Sequence, residues 1–377
     1  MPLHRAASVI FVLACLSAVL TSKLFPDILR MDERFETLNA ARTLARSGTL
    51  GDPFAAGSTG PTAHVAPVFP AAAAALLFLP APWEKSLVFL AVLLCGLNAC
   101  ILPYASVLLF GDSKPGVYAG LFSAVSVGPM PQQEVLLSSF LCICACCAML
   151  AGVRYAALLC GLAVLSNPIC AVPLLAFGIG PGRKSAQAAL LGVALFSIPW
   201  IARNWLVLGG PAPIRDNFGI ELSVSNNDCA RVSLRENAES GCFQVRHPGV
   251  SLPENQLLKT TGEMEYNRLK GEQAVAWIFG HPSRFAELAL YRLLRFLFPP
   301  LREGPWVLGI WACTSIVIGA IVWRVVPLRG ALQASIIASW LPYAVLQSDL
   351  RYRTQSLWMW LLIAGCALRS LQDRRIE

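Results

Sequence analysis

The sequence predicts an all-α polytopic membrane protein with about ten transmembrane helices, and three observations carry that reading. The 377 residues are 56% hydrophobic and only 14% charged, where a soluble domain carries roughly 25% charged residues. Mean hydropathy is +0.59, and apolar runs approaching the ~20 residues that cross a bilayer recur along the chain. The formal charge of +8 is gathered in short clusters between those runs, at Arg183/Lys184, Arg324/Arg329 and Arg369/Arg374/Arg375. Such clusters mark loops retained in the cytoplasm. Basic and aromatic residues do not interleave as they do on a nucleic-acid surface, so no nucleic-acid partner is expected.

The elements follow in order. The run 7–25, behind His4 and Arg5, resembles a secretory leader. We read it as an uncleaved first span, because the acidic segment that follows makes sense only when anchored. That segment, "LRMDERFETLNAARTLARSG" at 29–48, offers Asp32 as the N-cap of a helix over 33–46 that Gly48 closes. In "PVFPAAAAALLFLPAP" at 67–82 the prolines leave too little uninterrupted helix to span a membrane, which fits a juxtamembrane or re-entrant helix. Further spans are expected at 86–110, 115–130, 134–153, 155–167, 168–180, 185–207, 305–325, 330–348 and 353–369, with a break at Asn167-Pro168. Leaving 67–82 out of the count puts Arg154, Arg183/Lys184 and the basic C-terminus on the side of His4/Arg5. Both termini are then cytoplasmic, and 26–85, 129–134, 208–304 and 348–353 face outward. Three regions result: a membrane module over 1–207 that includes the outer loop 26–85, a long outer loop over 208–304, and C-terminal helices over 305–377.

Thirteen cysteines invite a metal reading, above all "CICACC" (Cys142, Cys144, Cys146, Cys147). Those four lie in an apolar run without a nearby His or carboxylate and read as small apolar helix residues. Cys229 and Cys242 fall instead in the polar loop, where an extracytoplasmic location would allow a disulfide; the sequence leaves the pairing open.

With this topology several ionisable residues from distant parts of the chain share one side: Asp32, Glu33, Glu134, Arg351 and Arg353, with Arg203 and Asn204 at the outer end of the seventh span. Charges at membrane depth are costly and are usually paired or functional. The "DE" pair after the first span, the Pro/Gly-rich "TGPTAHVAPVFPAAAAALL" and an acidic residue after the third span resemble the GT-C glycosyltransferases. The likeness is to bacterial relatives of protein O-mannosyltransferases and lipid A aminoarabinose transferases. The stretches "IPWIARNWLVLGGPAPIRDNFGIELSVSNN" (198–227), "EYNRLKGEQAVAWIFGHPSRFAELALYRLLRFLFP" (265–299) and "LRYR" (350–353) resemble blocks of the same enzymes.

The resemblance implies a helical membrane fold with interfacial helices in the first outer loop and a polyprenyl-phosphate sugar as donor. The acceptor, a lipid, glycan or protein, stays open. The enzyme would lie in the plasma (inner) membrane with its site facing outward. By its match to the family's first acidic residue, Asp32 is the expected general base. Glu33 would orient it, bind acceptor or help hold a divalent cation, and Glu134 would complete a carboxylate cluster. Arg351 and Arg353, then Arg203 and His64, are the expected phosphate and substrate contacts, since guanidinium forks match phosphate. In the long loop a helical pattern from Glu263 to Phe298 would set Trp277, Phe285, Leu288 and Tyr291 along one apolar interfacial face. Asn226, Asn227 and His281 resemble family positions. A transporter or flippase for lipid-linked sugars and a non-catalytic scaffold of the same fold are the competing readings.

Overall fold

The computed structural model describes residues 2–25, 35–127, 133–179, 185–304, 306–322 and 330–373. The chain is all-helical, with 78% of it in helices and no strand among the described residues. Asp32 and Glu33 lie outside the described residues.

The apolar runs become α1 (Leu3–Leu24), α4 (Trp83–Cys100), α5 (Leu102–Phe110), α6 (Lys114–Phe122), α7 (Gln133–Ala151), α8 (Ala156–Ser166), α9 (Ala171–Ile179), α10 (Ala186–Leu208), α17 (Val307–Val322), α18 (Gly330–Trp340) and α20 (Leu350–Asp373). The polar segments fold into α2 (Glu36–Ser47), α3 (Val68–Leu76), α11 (Phe218–Ser225), α12 (Leu234–Glu239), α13 (Cys242–Arg246), α14 (Leu252–Thr261), α15 (Glu263–Gly280), α16 (Pro282–Leu297) and α19 (Pro342–Val345). Among the described residues, four stretches are long and apolar enough to cross a membrane: Leu3–Leu24, Trp83–Phe110, Gln133–Ala151 and Ala186–Leu208. The apolar helices Ala156–Ser166, Pro168–Ile179, Val307–Val322 and Ala334–Val345 are shorter.

Packing in the bundle relies on small residues. A Cβ on Gly192 of α10 would fall 1.9 Å from the Ala157 carbonyl of α8, and one on Gly365 of α20 would fall 2.0 Å from the Pro115 carbonyl of α6. Such close backbone approach replaces the hydrophobic drive that lipid cannot supply between helices. Around α20 this packing is complete: Leu357 to Ala364 are buried on every face, the signature of a central helix.

Asn167 turns the chain between α8 and α9 with an extended backbone (φ −161°, ψ 125°), and its side chain accepts the Ile169 N–H at 3.1 Å. Pro168 has no N–H to continue α8, so the break expected there is present. The segment at 67–82 yields only the nine residues of α3. Leu38, Ala41, Phe69, Ala73, Trp83 and Leu87 form the small core that fastens α2 and α3 to α4, and Trp83 Nε1 donates to the Ala73 carbonyl at 2.8 Å.

Two expectations change. The helix expected over 33–46 begins at Glu36, with Phe35 rather than Asp32 at its N-cap; Gly48 closes it in the left-handed region, φ 72°. The pattern over 263–298 is two helices, because Pro282 starts a new one after His281. Trp277 lies on the first of these helices and donates to Asp228 Oδ1 at 2.7 Å, while Phe285, Leu288 (buried) and Tyr291 (half exposed) lie on the second. Cys229 and Cys242 are joined in a disulfide, whereas all four cysteines of "CICACC" are free.

Candidate functional site

Three polar regions distant in sequence assemble at one end of the apolar helices. Asp216 N–H donates to the Ala63 carbonyl, Ala56 N–H to the Gly249 carbonyl, and Leu234 N–H to the Ser348 carbonyl. Glu263 grips the first loop from the second: its carboxylate accepts the Thr62 hydroxyl at 2.5 Å and the Ala63 N–H at 2.7 Å. Arg203 reinforces this grip from α10 by donating to the Thr62 and Leu50 carbonyls at 2.9 and 3.0 Å, with its guanidinium over the Trp200 ring.

Between these loops and the ends of α7 and α20 lies a cavity of about 180 Å³. Its charged lining consists of Glu36, Glu134, Arg215, Glu221 and Arg351, with Gln355 further down α20. Arg215 reaches Glu134 at 3.7 Å and donates through Nε to the His64 carbonyl at 3.0 Å. Arg351 lies over the Tyr352 ring, 5.0 Å from its centroid, and near Asp349 at 3.7 Å. Tyr352 in turn stacks on Tyr343, so Arg351 is set on an aromatic platform, the arrangement that pre-organises a guanidinium fork.

Glu36 forms one wall. Its Oε2 lies 3.1 Å from His64 Nε2 and its Oε1 lies 3.5 Å from His247 Nε2. Both imidazoles are buried, while the carboxylate keeps about a quarter of its surface open. Burial by itself raises a carboxyl pKa, yet the charge and hydrogen bond of His64, aided by His247 and Arg351, hold Glu36 well below the usual carboxylate range. His64 is pulled in opposite directions by burial and by Glu36, and Glu36 prevails, so its pKa is raised. For His247 burial prevails and its pKa is lowered.

Glu36, His64 and His247 are also the residues here whose ligand atoms, all within 4.8 Å of one another, can hold a metal ion. The hydrogen bond on the far side of His247 argues for protons instead. Gly249 N–H donates to His247 Nδ1 at 3.0 Å, which leaves the imidazole proton on Nε2, facing Glu36. A metal on Nε2 needs that proton on Nδ1, against the Gly249 N–H. The geometry is that of a carboxylate set between two buried imidazoles at ion-pair distance.

Of the residues expected from sequence, the structure brings Glu134 and Arg351 to the cavity, and His64 to the layer directly behind Glu36. Arg203 serves the loop carbonyls described above. Arg353, two residues from Arg351, points elsewhere: it is buried, donates to the Phe296 and Leu297 carbonyls at 2.6 and 2.9 Å and to the Thr314 hydroxyl, and lies over Trp360. It therefore ties α16 and α17 to α20 rather than facing the cavity. Asp32 and Glu33, expected to act as base and as an accessory or metal carboxylate, are outside the described residues. Sequence reading passed over Glu36, Arg215, Glu221 and His247. Only Glu36 had a signal, since it is a carboxylate on the polar face of α2 close to the "DE" pair.

No protein-family model matches the chain, and no curated protein matches it significantly. The class of protein defined here is an all-helical chain with membrane-length helices and a charged cavity at one end of them.

Proposed function

We propose that this chain is a membrane glycosyltransferase that moves a sugar from a polyprenyl-phosphate carrier to an acceptor. The observation that carries the reading is the cavity's composition: guanidinium groups of Arg215 and Arg351 face carboxylates of Glu36, Glu134 and Glu221 at the end of apolar helices. A lipid phosphate is an anion whose tail stays in the bilayer, and cations at that depth stabilise it bidentately as it leaves. Carboxylates opposite it accept the proton of an attacking hydroxyl or amine and hold sugar hydroxyls. A direct displacement of this kind inverts the anomeric centre.

In this account Asp32 is the general base. It stands three residues ahead of Phe35, which lines the cavity, with Glu33 beside it. The apolar helices form a polytopic bundle of about ten spans in the plasma membrane, and the cavity faces the extracytoplasmic side. A divalent cation at Asp32 and Glu33 belongs to the same proposal. Asp32→Asn keeps size and removes basicity, so it should cut transfer by roughly 100-fold or more in protein that reaches the membrane normally. Near-normal turnover would move the base to another carboxylate of the cavity.

One feature favours a second reading. Asn167 and Pro168, where two membrane helices break, line the same cavity, and broken helices frame binding sites in transporters. A transporter or flippase would relocate the lipid-linked sugar unchanged, whereas a transferase leaves the sugar covalently on the acceptor.

A further inference from the structure

We propose that Glu36 binds a hydroxyl of the sugar on the lipid donor, with His64 and His247 acting as positioning residues; the inference rests on the glycosyltransferase reading. A carboxylate has about four lone-pair positions, and the two imidazoles approach it from one side, with their Nε2 atoms 3.1 and 3.5 Å from its two oxygens. The remaining positions open on the cavity, because Glu36 lines it and keeps 27% of its side chain exposed. A tie between loops would need no such opening. Beside it on α2, Thr37 lines the same cavity while only 5% exposed, and its hydroxyl has no hydrogen-bond partner. A carboxylate with acceptor capacity and a neighbouring hydroxyl that can donate or accept form a pair suited to a polyol.

The clamp also fixes where the carboxylate points. His64 is fully buried behind it, edge-on to Phe54, and its backbone carbonyl holds Arg215. His247 stacks on Phe243 and is oriented by the Gly249 N–H. The cationic wall and the hydroxyl-binding wall are thus linked through one residue, His64. A phosphate held by Arg215 and Arg351 would place its sugar toward Glu36.

The test compares binding of undecaprenyl phosphate, and of undecaprenyl phosphate carrying glucose, mannose, galactose or arabinose, to the purified full chain in nanodiscs. Wild type should hold at least one sugar-bearing lipid about 10-fold or more tighter than the bare lipid, as for a hydrogen bond to a charged group. Glu36→Gln should bring that ratio close to one. His64→Leu should do the same, and His64→Gln, which can still donate to Glu36, should recover most of it. A ratio that survives in Glu36→Gln overturns the inference, and so does a wild type that binds all the lipids equally; both results leave the glycosyltransferase reading standing. Wild type that binds no lipid phosphate overturns that reading too. A divalent ion retained stoichiometrically by wild type and lost in His247→Ala overturns the proton-held clamp in favour of a metal site.

Discussion

Asp216 carries its carboxyl into the loop layer, where Asn267 Nδ2 donates to Oδ1 at 2.5 Å and Oδ2 is buried without a partner. Burial, reinforced by the charge of Glu263, pushes its pKa up to about 7. Between the unfolded value of about 3.9 and that folded value, the folded chain holds a proton that the unfolded chain has released. Stability must therefore fall as pH rises through this window and level off above it. Thermal unfolding in detergent between pH 4.5 and 6 should show the decline, and Asp216→Asn should flatten it. An equal slope in the variant would mean that Asp216 stays ionised. Two neighbouring arginines give a second residue-scale prediction. Arg351→Ala should weaken donor use with little loss of folding. Arg353→Ala should instead lower the unfolding temperature, because the Phe296 and Leu297 carbonyls and the Thr314 hydroxyl each lose the arginine's hydrogen bond, at about 1–3 kcal/mol for a buried group left short of a partner. Donor KM together with melting temperature in both variants separates the two roles, and identical behaviour would contradict them. From sequence alone these arginines look equivalent. One is on a tyrosine platform facing the cavity and the other is spent on carbonyls, and only the packing of α16 and α17 against α20 decides which.

At the scale of elements, the apolar helices were legible because in lipid a backbone must satisfy itself within one run; most bounds lie within a few residues of the expected runs, while 86–110 forms two helices, α6 ends at Phe122 and α18 ends at Trp340. The break at Asn167-Pro168 was legible for the same reason: proline removes a donor that nothing in lipid replaces. The polar layer was not legible to that degree. Its helices are short and held by side chains from other loops, as when Arg292 of α16, fully buried, donates to Asn226 Oδ1 at 3.1 Å and to the Ser225 and Val345 carbonyls. Such contacts have no period to read. The same holds for Glu36, whose partners His64 and His247 lie in two different loops. The Cys229–Cys242 disulfide staples one of these loops and should contribute about 3 kcal/mol in the chain-entropy model. Reducing agent should release the fragments of a proteolytic cut between the two cysteines and lower the unfolding temperature. Free alkylation of both thiols in native membranes would contradict the pairing.

For the whole molecule, the proposal places the loop layer outside the membrane and the basic connections inside. Single cysteines between residues 35–60 and 215–280 should react with an impermeant reagent in intact cells, while those at 181–185 and 370–377 should react only after lysis. Residues 60 and 114 on the same side would make α3 part of a span and carry Glu134 to the cytoplasmic face. The central claim is the transfer itself. Purified chain, given a radiolabelled polyprenyl-phosphate sugar and a membrane extract as acceptor, should release unlabelled lipid phosphate and leave label covalently on the acceptor. That activity should drop roughly 100-fold or more in Asp32→Asn. Label that crosses the membrane still attached to its lipid, or transfer that does not depend on the added protein, would contradict the claim.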